Sequence, residues 1–387
     1  MLRLHIGWIK ILSVALCLSA LTSCGGGEVA ETTAVTTAES TAAATETAVP
    51  SPELSQYVLV RPDGQDEYLT TFNALRAQIK RLSGIELTPA SDLVIANRQP
   101  PAFEILLGKT RRELSQELYE TLPIGGYAVV YRDGKIAIAG RGDEPLAAAV
   151  AYFIDHYFVD RTFTLPEETD FRAEYEYENY YPVLEGKSIN VMGDSYVAAV
   201  SLPDGKIWPQ LLAEKYEMDY RSYGISGNAI GSPLASGTPM VQRYTQMRGG
   251  ADIVFVVGGR NDYNQKYPIG KVGDTAPDTF CGALATLIDG LRGKYPDSLI
   301  LFSTSWYVNG EMKPYTDATL AVCEAKGIPC FHAADPSLSG VYMDQAGFRS
   351  TYCVKPSDVS HLNAAGMKLV LPRFEAFIAA EAEKYFK

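Results

Sequence analysis

Ala251-Asp252-Ile253-Val254-Phe255-Val256-Val257-Gly258-Gly259-Arg260-Asn261-Asp262 reads as a strand that is apolar from Ile253 onward and breaks at once into a polar turn. A half-solvated strand would alternate polar and apolar residues. This one does not, so both of its faces are predicted to be covered. The same pattern recurs on either side. Ser188-Ile189-Asn190-Val191-Met192-Gly193 runs into Asp194-Ser195, and a strand around Tyr220 to Tyr223 runs into Gly224-Ile225-Ser226-Gly227-Asn228. Ser298 to Thr304 and Ile328 to His332 supply two more strands. Helical stretches lie between them, opening at Ile207-Trp208-Pro209, around Phe280 to Leu291 and Ala318 to Ala325, and last from Ala364 to Phe386. Buried strands alternating with helices predict a doubly wound parallel α/β sheet with helices on both faces. Such sheets bind ligands beyond the carboxyl ends of their strands, which is where each polar cluster falls.

The clusters carry the parts of acyl-transfer chemistry. A serine hydroxyl such as that of Ser195 is a poor nucleophile until a base takes its proton. Histidine titrates near neutral pH and suits that task. Beyond the N-terminal segment the chain holds His156, His332 and His361, and only His361 follows a carboxylate by three residues, in Asp358-Val359-Ser360-His361. Asp358 can hold the ring in one tautomer and stabilise the imidazolium. Donors for a developing oxyanion are available from the Ser195 and Gly227 N–H groups and the Asn261 amide, and Gly227 permits close backbone approach. Each motif alone has an ordinary reading. Gly-Asp-Ser is a common turn, Asn-Asp after glycine is usually a loop, and Asp-x-x-His before a helix can be a cap. Their joint occurrence in this order favours catalysis by Ser195, His361 and Asp358. His332 is expected to pack, and Asp194 and Asp262 to bind loop backbone.

The series Gly193-Asp194-Ser195, Gly224-Ile225-Ser226-Gly227-Asn228, Gly259-Arg260-Asn261-Asp262 and Asp358-Val359-Ser360-His361 resembles the block pattern of the GDSL/SGNH hydrolases, over about 200 residues. The resemblance implies an SGNH-type, flavodoxin-like sheet and an esterase that needs no cofactor or metal. Arg260 departs from the small residue common at that place in the family. Either it neutralises an acidic substrate group or it pairs with a nearby carboxylate.

Upstream lies a second pattern, over residues 54–183. Tyr57-Val58-Leu59-Val60 reads as a strand. Leu69, Phe72, Leu75, Ile79 and Leu82 form one helix face ending near Gly84. Glu104 to Gly108 is a strand, Arg111 to Leu122 a helix, Tyr127 to Ala139 a hairpin turning at Asp133-Gly134, and Pro145 to Val159 a helix. The order is β-α-β-α-β-β-α. The runs Glu104 to Arg111, Gly126-Tyr127 and Asp133 to Gly140 resemble the small α/β domain that precedes the catalytic domain in many glycoside hydrolases, which implies a non-catalytic companion module. His156 is expected to be a packed or boundary histidine. The acidic, tyrosine-rich stretch Glu174 to Tyr181 is expected to wrap the junction with the catalytic domain, residues 184–387.

The N-terminal end bears on compartment. Arg3 and Lys10 precede an apolar run, Ile11 to Ala20, too short to span a bilayer. Leu21-Thr22-Ser23-Cys24 resembles a bacterial lipobox, which implies a signal peptide over 1–23, acylation of Cys24 and anchoring to the membrane at the cell surface. An ordinary secretion signal with an incidental cysteine is the alternative. Residues 24–53 are Thr, Ala, Glu, Ser and Pro with little to bury, and read as a disordered tether.

A net charge of −12 without a basic cluster argues against a nucleic-acid partner. Cys281, Cys323, Cys330 and Cys353 either form two disulfides or pack as small hydrophobes; no CxxC pair suggests zinc. The Gly-x-Ser-x-Gly elbow of α/β-hydrolases is missing at Ser195, which is followed by Tyr196 and Val197. No Walker-type loop supports phosphoryl transfer. The expected substrate is a small-molecule or polysaccharide ester, with O-acetyl groups on an extracellular carbohydrate favoured. A lipid esterase or thioesterase of the same fold, or a non-catalytic glycan-binding surface lipoprotein, are the alternatives.

Overall fold

The computed structural model describes residues 52–93, 99–198, 202, 205–306 and 310–387. The expected signal segment, Cys24 and almost all of the expected tether lie outside the described residues. The first sheet contains β1 (Val58–Arg61), β2 (Thr88–Ser91), β3 (Glu104–Leu107), β4 (Gly126–Arg132) and β5 (Lys135–Gly140). A small hairpin of β6 (Phe158–Val159) and β7 (Thr162–Phe163) precedes its last strand, β8 (Asp170–Glu174). The order is β2-β1-β3-β5-β4-β8, parallel from β2 to β5, with β4 antiparallel to β5 and β8.

Local chemistry explains the boundaries. Helix Leu69–Ser83 stops where Gly84 takes a φ of 77°, a left-handed cap that glycine adopts without strain. Asp133 and Gly134 both have positive φ and join β4 to β5 with Arg132 opposite Lys135, the two-residue turn that matches strand twist. Strands β2 and β8 are additions to the order expected from sequence. Both lie on sheet edges and are partly exposed, so neither needs an apolar run, and Pro89 is tolerated in β2 because an edge strand can spare a donor.

The second sheet is fully parallel: β9 (Ser188–Gly193), β10 (Asp219–Gly224), β11 (Ile253–Gly258), β12 (Leu299–Thr304) and β13 (Cys330–Phe331), in the order β10-β9-β11-β12-β13. The continuous apolar run of β11 divides between its two faces. Ile253, Phe255 and Val257 pack with Trp208, Phe374 and Ile378, from helices Trp208–Lys215 and Ala364–Tyr385. Val254 and Val256 pack with Phe280, Leu284 and Val322, from helices Phe280–Lys294 and Lys313–Ala325. Helix Lys313–Ala325 begins earlier than its apolar spacing indicates, because its first turn, Lys313-Pro314-Tyr315-Thr316, holds no aliphatic residue and carries Pro314 near the start, where a missing N–H costs nothing. β13 is shorter than the expected Ile328 to His332. It pairs only at Cys330 and Phe331, on the sheet edge.

Both sheets belong to one compact unit. The tyrosine-rich stretch packs at their junction. Tyr177 stacks on Tyr180, Tyr180 on Tyr216, and Lys215 Nζ reaches the Asn179 carbonyl and the buried Glu375 carboxylate, each at 2.6 Å. Arg141 pairs with Glu217, and Lys206 with Asp143 and Glu214. All four cysteines among the described residues are free thiols, three of them buried. Among the described residues no helix is long and apolar enough to cross a membrane.

Candidate active site

The site forms at the carboxyl ends of the second sheet. β9 ends at Gly193, and the chain turns through Asp194 and Ser195. A Cβ at Gly193 would come within 2.7 Å of the Val257 carbonyl oxygen, so glycine is needed for the turn to leave the sheet here. His361 Nε2 lies 2.9 Å from Ser195 Oγ, and His361 Nδ1 lies 3.0 Å from Asp358 Oδ2. The other Asp358 oxygen accepts the Ser360 N–H at 2.8 Å and the His361 N–H at 2.9 Å. Burial opposes ionisation of Asp358, but the His361 and Ser360 N–H groups and the His361 ring outweigh it and hold the carboxyl below its ordinary range. A carboxylate that stays charged fixes the ring orientation with Nε2 turned to the serine.

The neighbouring strand ends bring amide donors to the same place. Gly227 has a φ of 76°, and a Cβ there would meet Ser236 Cβ at 3.1 Å. Among the described residues, no acceptor takes the Ser195 or Gly227 N–H. Asn261 Nδ2 donates to the Asn228 carbonyl at 2.9 Å and, at 3.3 Å, to Asp194 Oδ2; Asn264 donates to Asn261 Oδ1 and fixes which way the amide points.

Asp194 and Asp262 bind backbone, as expected from their positions. Asp262 accepts the N–H groups of Ile230, Gly231 and Ser232 at 2.8, 2.9 and 3.1 Å, and Asp194 accepts that of Tyr196 at 3.0 Å. Burial pushes Asp194 up to about 7, with the Tyr196 N–H opposing, Asp262 adding and Arg260 opposing. Arg260 opens helix Arg260–Asn264 and contributes its charge beside Asp194 and Tyr196. Its Nη1 is buried without a hydrogen-bond partner among the described residues. His156 lies outside the site, stacked on Tyr152 at 3.8 Å. His332 is half-buried after β13.

Three further residues shape the site, and two of them, Arg243 and Trp306, carry no sequence signature. Trp306, buried after β12, donates its indole N–H to the Ser360 carbonyl at 2.6 Å and meets Tyr196 edge-on. Asn228 donates through Nδ2 to the Ser236 and Thr238 carbonyls. Arg243 is a buried arginine that touches the ends of two strands. Arg243 and Trp306 depend on contacts with residues far along the chain, which no local spacing marks, whereas Asn228 binds carbonyls only eight and ten residues on.

The chain is similar to a solved protein of Lactobacillus plantarum, 26% identical over 51% of this chain and 98% of that one, with a TM-score of 0.45. It is similar to a catalytic mutant of an acetylxylan esterase from Geobacillus stearothermophilus, at 17% identity over 50% and 94% of the two chains and a TM-score of 0.36. A family two carbohydrate esterase from Clostridium thermocellum is 16% identical over 55% of this chain and 68% of that one, with a TM-score of 0.36. No curated protein matches the chain. Residues 191–369, the stretch that holds Ser195, Gly227, Asn261, Asp358 and His361, match the GDSL-like lipase/acylhydrolase family, and this C-terminal region is a GDSL-like serine hydrolase domain.

Proposed function

We propose that the chain is an exported carboxylic ester hydrolase working through an acyl-enzyme on Ser195. The observation that carries this reading is the 2.9 Å contact of His361 Nε2 with Ser195 Oγ, backed by Asp358 at 3.0 Å. His361 takes the hydroxyl proton as Ser195 Oγ bonds to the ester carbonyl carbon. The carbonyl oxygen becomes an oxyanion facing the Ser195 and Gly227 N–H groups and the Asn261 amide. On collapse the ester C–O bond breaks, and His361 gives its proton to the departing alcohol. Water then repeats the sequence on the acyl-serine and releases the acid. Ser195, His361 and Asp358 are the catalytic residues in this account, and Ser195, Gly227 and Asn261 form the oxyanion hole.

The substrate we propose is an O-acetyl ester of an extracellular carbohydrate. Support comes from the separate α/β domain before the hydrolase domain, whose sequence resembles companion modules of glycoside hydrolases, and from the lipobox-like Leu21-Thr22-Ser23-Cys24 with its polar tether. In that reading Cys24 is acylated and holds the protein at the membrane surface; two or more acyl chains anchor stably where one does not. Cys24→Ser should then abolish partitioning into detergent with the membrane fraction. A second reading, an esterase for longer acyl chains, is favoured by exposed apolar residues beside the site. Ile225 precedes the oxyanion loop, Leu234 stands on the segment that closes against Gly227, and Val359 lies between Asp358 and Ser360.

The full chain assayed on nitrophenyl esters of increasing acyl length and on an acetylated polysaccharide separates the two. Release of acetate from the polysaccharide and preference for the acetyl ester are expected. A preference for long chains with no release from polysaccharide overturns the carbohydrate reading in favour of the second.

A further inference from the structure

Arg243 ends the short helix Met240–Arg243 and is 6% exposed. A buried guanidinium is costly unless its donors are satisfied, and among the described residues no carboxylate forms a salt bridge with it. Its donors go instead to three neutral acceptors. Nε donates to Asn228 Oδ1 at 2.8 Å, Nη1 to the Tyr223 carbonyl at 2.7 Å, and Nη2 to the Gly193 carbonyl at 2.9 Å. Burial pulls its pKa down to about 10, with Asp194 opposing, so it remains charged at neutral pH.

The three acceptors are the supports of the three oxyanion donors. Gly193 is the last residue of β9, two before Ser195. Tyr223 lies in the adjacent strand opposite Met192, four residues before Gly227. Asn228 follows Gly227 directly, and its own carbonyl accepts Asn261 Nδ2. The Arg243 bond to Asn228 Oδ1 also sets the amide so that Nδ2 meets the carbonyls of Ser236 and Thr238, which closes the loop over Gly227. A planar fork with several fixed donors can hold three acceptors in one geometry, and lysine cannot.

We propose that Arg243 is the positioning residue of the oxyanion hole, fixing the Ser195, Gly227 and Asn261 donors relative to one another through Gly193, Tyr223 and Asn228. The inference rests on the serine-hydrolase reading of Ser195. Arg243 touches no reacting atom. It acts by removing the need for the donors to reorganise when the oxyanion forms.

The test compares the full chain with Arg243→Lys, Arg243→Met and Asn228→Ala on nitrophenyl acetate, each normalised to sites titrated with an organophosphonate. A positioning role lowers kcat per titrated site by an amount approaching ~10²-fold in Arg243→Met, the scale of losing one oxyanion donor, and leaves KM close to wild type. Arg243→Lys should recover only a small part, since charge without the fork does not restore the geometry. Should Arg243→Met fail to fold, Asn228→Ala decides, with the same kcat loss expected. Wild-type kcat per titrated site, with only fewer titratable sites, overturns the proposal. Ser195→Ala is the control: if it keeps turnover, the serine reading itself fails, and if it is inactive while Arg243→Met is fully active, only the role of Arg243 fails.

Discussion

The Trp306 indole donates to the Ser360 carbonyl at 2.6 Å, and this bond joins the end of β12 to the loop that carries His361. Tyr196, the residue after the nucleophile, packs edge-on against the same indole at 4.2 Å. The serine turn and the histidine loop, 166 residues apart in the chain, therefore rest on one side chain.

Trp306→Phe keeps most of the ring and removes the donor, leaving the Ser360 carbonyl without that partner. The expected cost is about 1 kcal/mol of stability and a fall in turnover of roughly tenfold, because small displacements of a general base are felt in the rate. Denaturant melts together with turnover per titrated site check both parts. Unchanged turnover would show that Asp358 alone places His361.

Asn261→Ala should lower kcat by about 10²–10³-fold with a smaller change in KM, since the amide acts on charge that develops after binding. Steady-state kinetics on nitrophenyl acetate read this directly. A change confined to KM would mean that Asn261 holds the ground-state ester instead.

Asp358→Asn should slow turnover by up to ~10⁴-fold while the fold survives, because the amide favours the wrong histidine tautomer and cannot stabilise the imidazolium. Circular dichroism establishes folding and the ester assay the loss. Activity equal to wild type would leave the Ser195–His361 pair sufficient on its own.

Asp194 titrates at about 7 in the folded protein against an ordinary 3.8. Between those values the folded state binds the proton more tightly than the unfolded chain. That stabilising contribution is present at low pH and is lost as pH rises through about 7. Wild type should accordingly lose more stability from pH 5 to pH 8 than Asp194→Asn does, by chemical denaturation at each pH. Parallel losses would mean that Asp194 is ionised throughout.

Much of this site was legible in sequence because its pieces are local. Gly193-Asp194-Ser195 and Asn261 follow apolar strands and Asp358 to His361 precedes a helix, while Gly227 follows the polar edge strand β10; alternation in β11 is absent because both faces are covered. Helix Leu69–Ser83 was readable from its spacing and its capping glycine. What was not legible depends on distant partners or weak burial. β2 and β8 are edge strands with exposed positions, and nothing in Thr88-Pro89-Ala90-Ser91 separates them from a loop. Arg243 and Trp306 acquire their roles only once β10, β9, β11 and β12 are assembled in one sheet.

In the proposed mechanism Ser195 is the residue that becomes acylated. The most direct measurement treats the full chain and Ser195→Ala with an organophosphonate, follows loss of nitrophenyl acetate hydrolysis, and locates the adduct by peptide mass spectrometry. Stoichiometric labelling of the wild-type peptide at Ser195 is expected, with activity lost in step with labelling, and neither labelling nor turnover in folded Ser195→Ala. An adduct on another residue, or hydrolysis by Ser195→Ala at the wild-type rate, would contradict it.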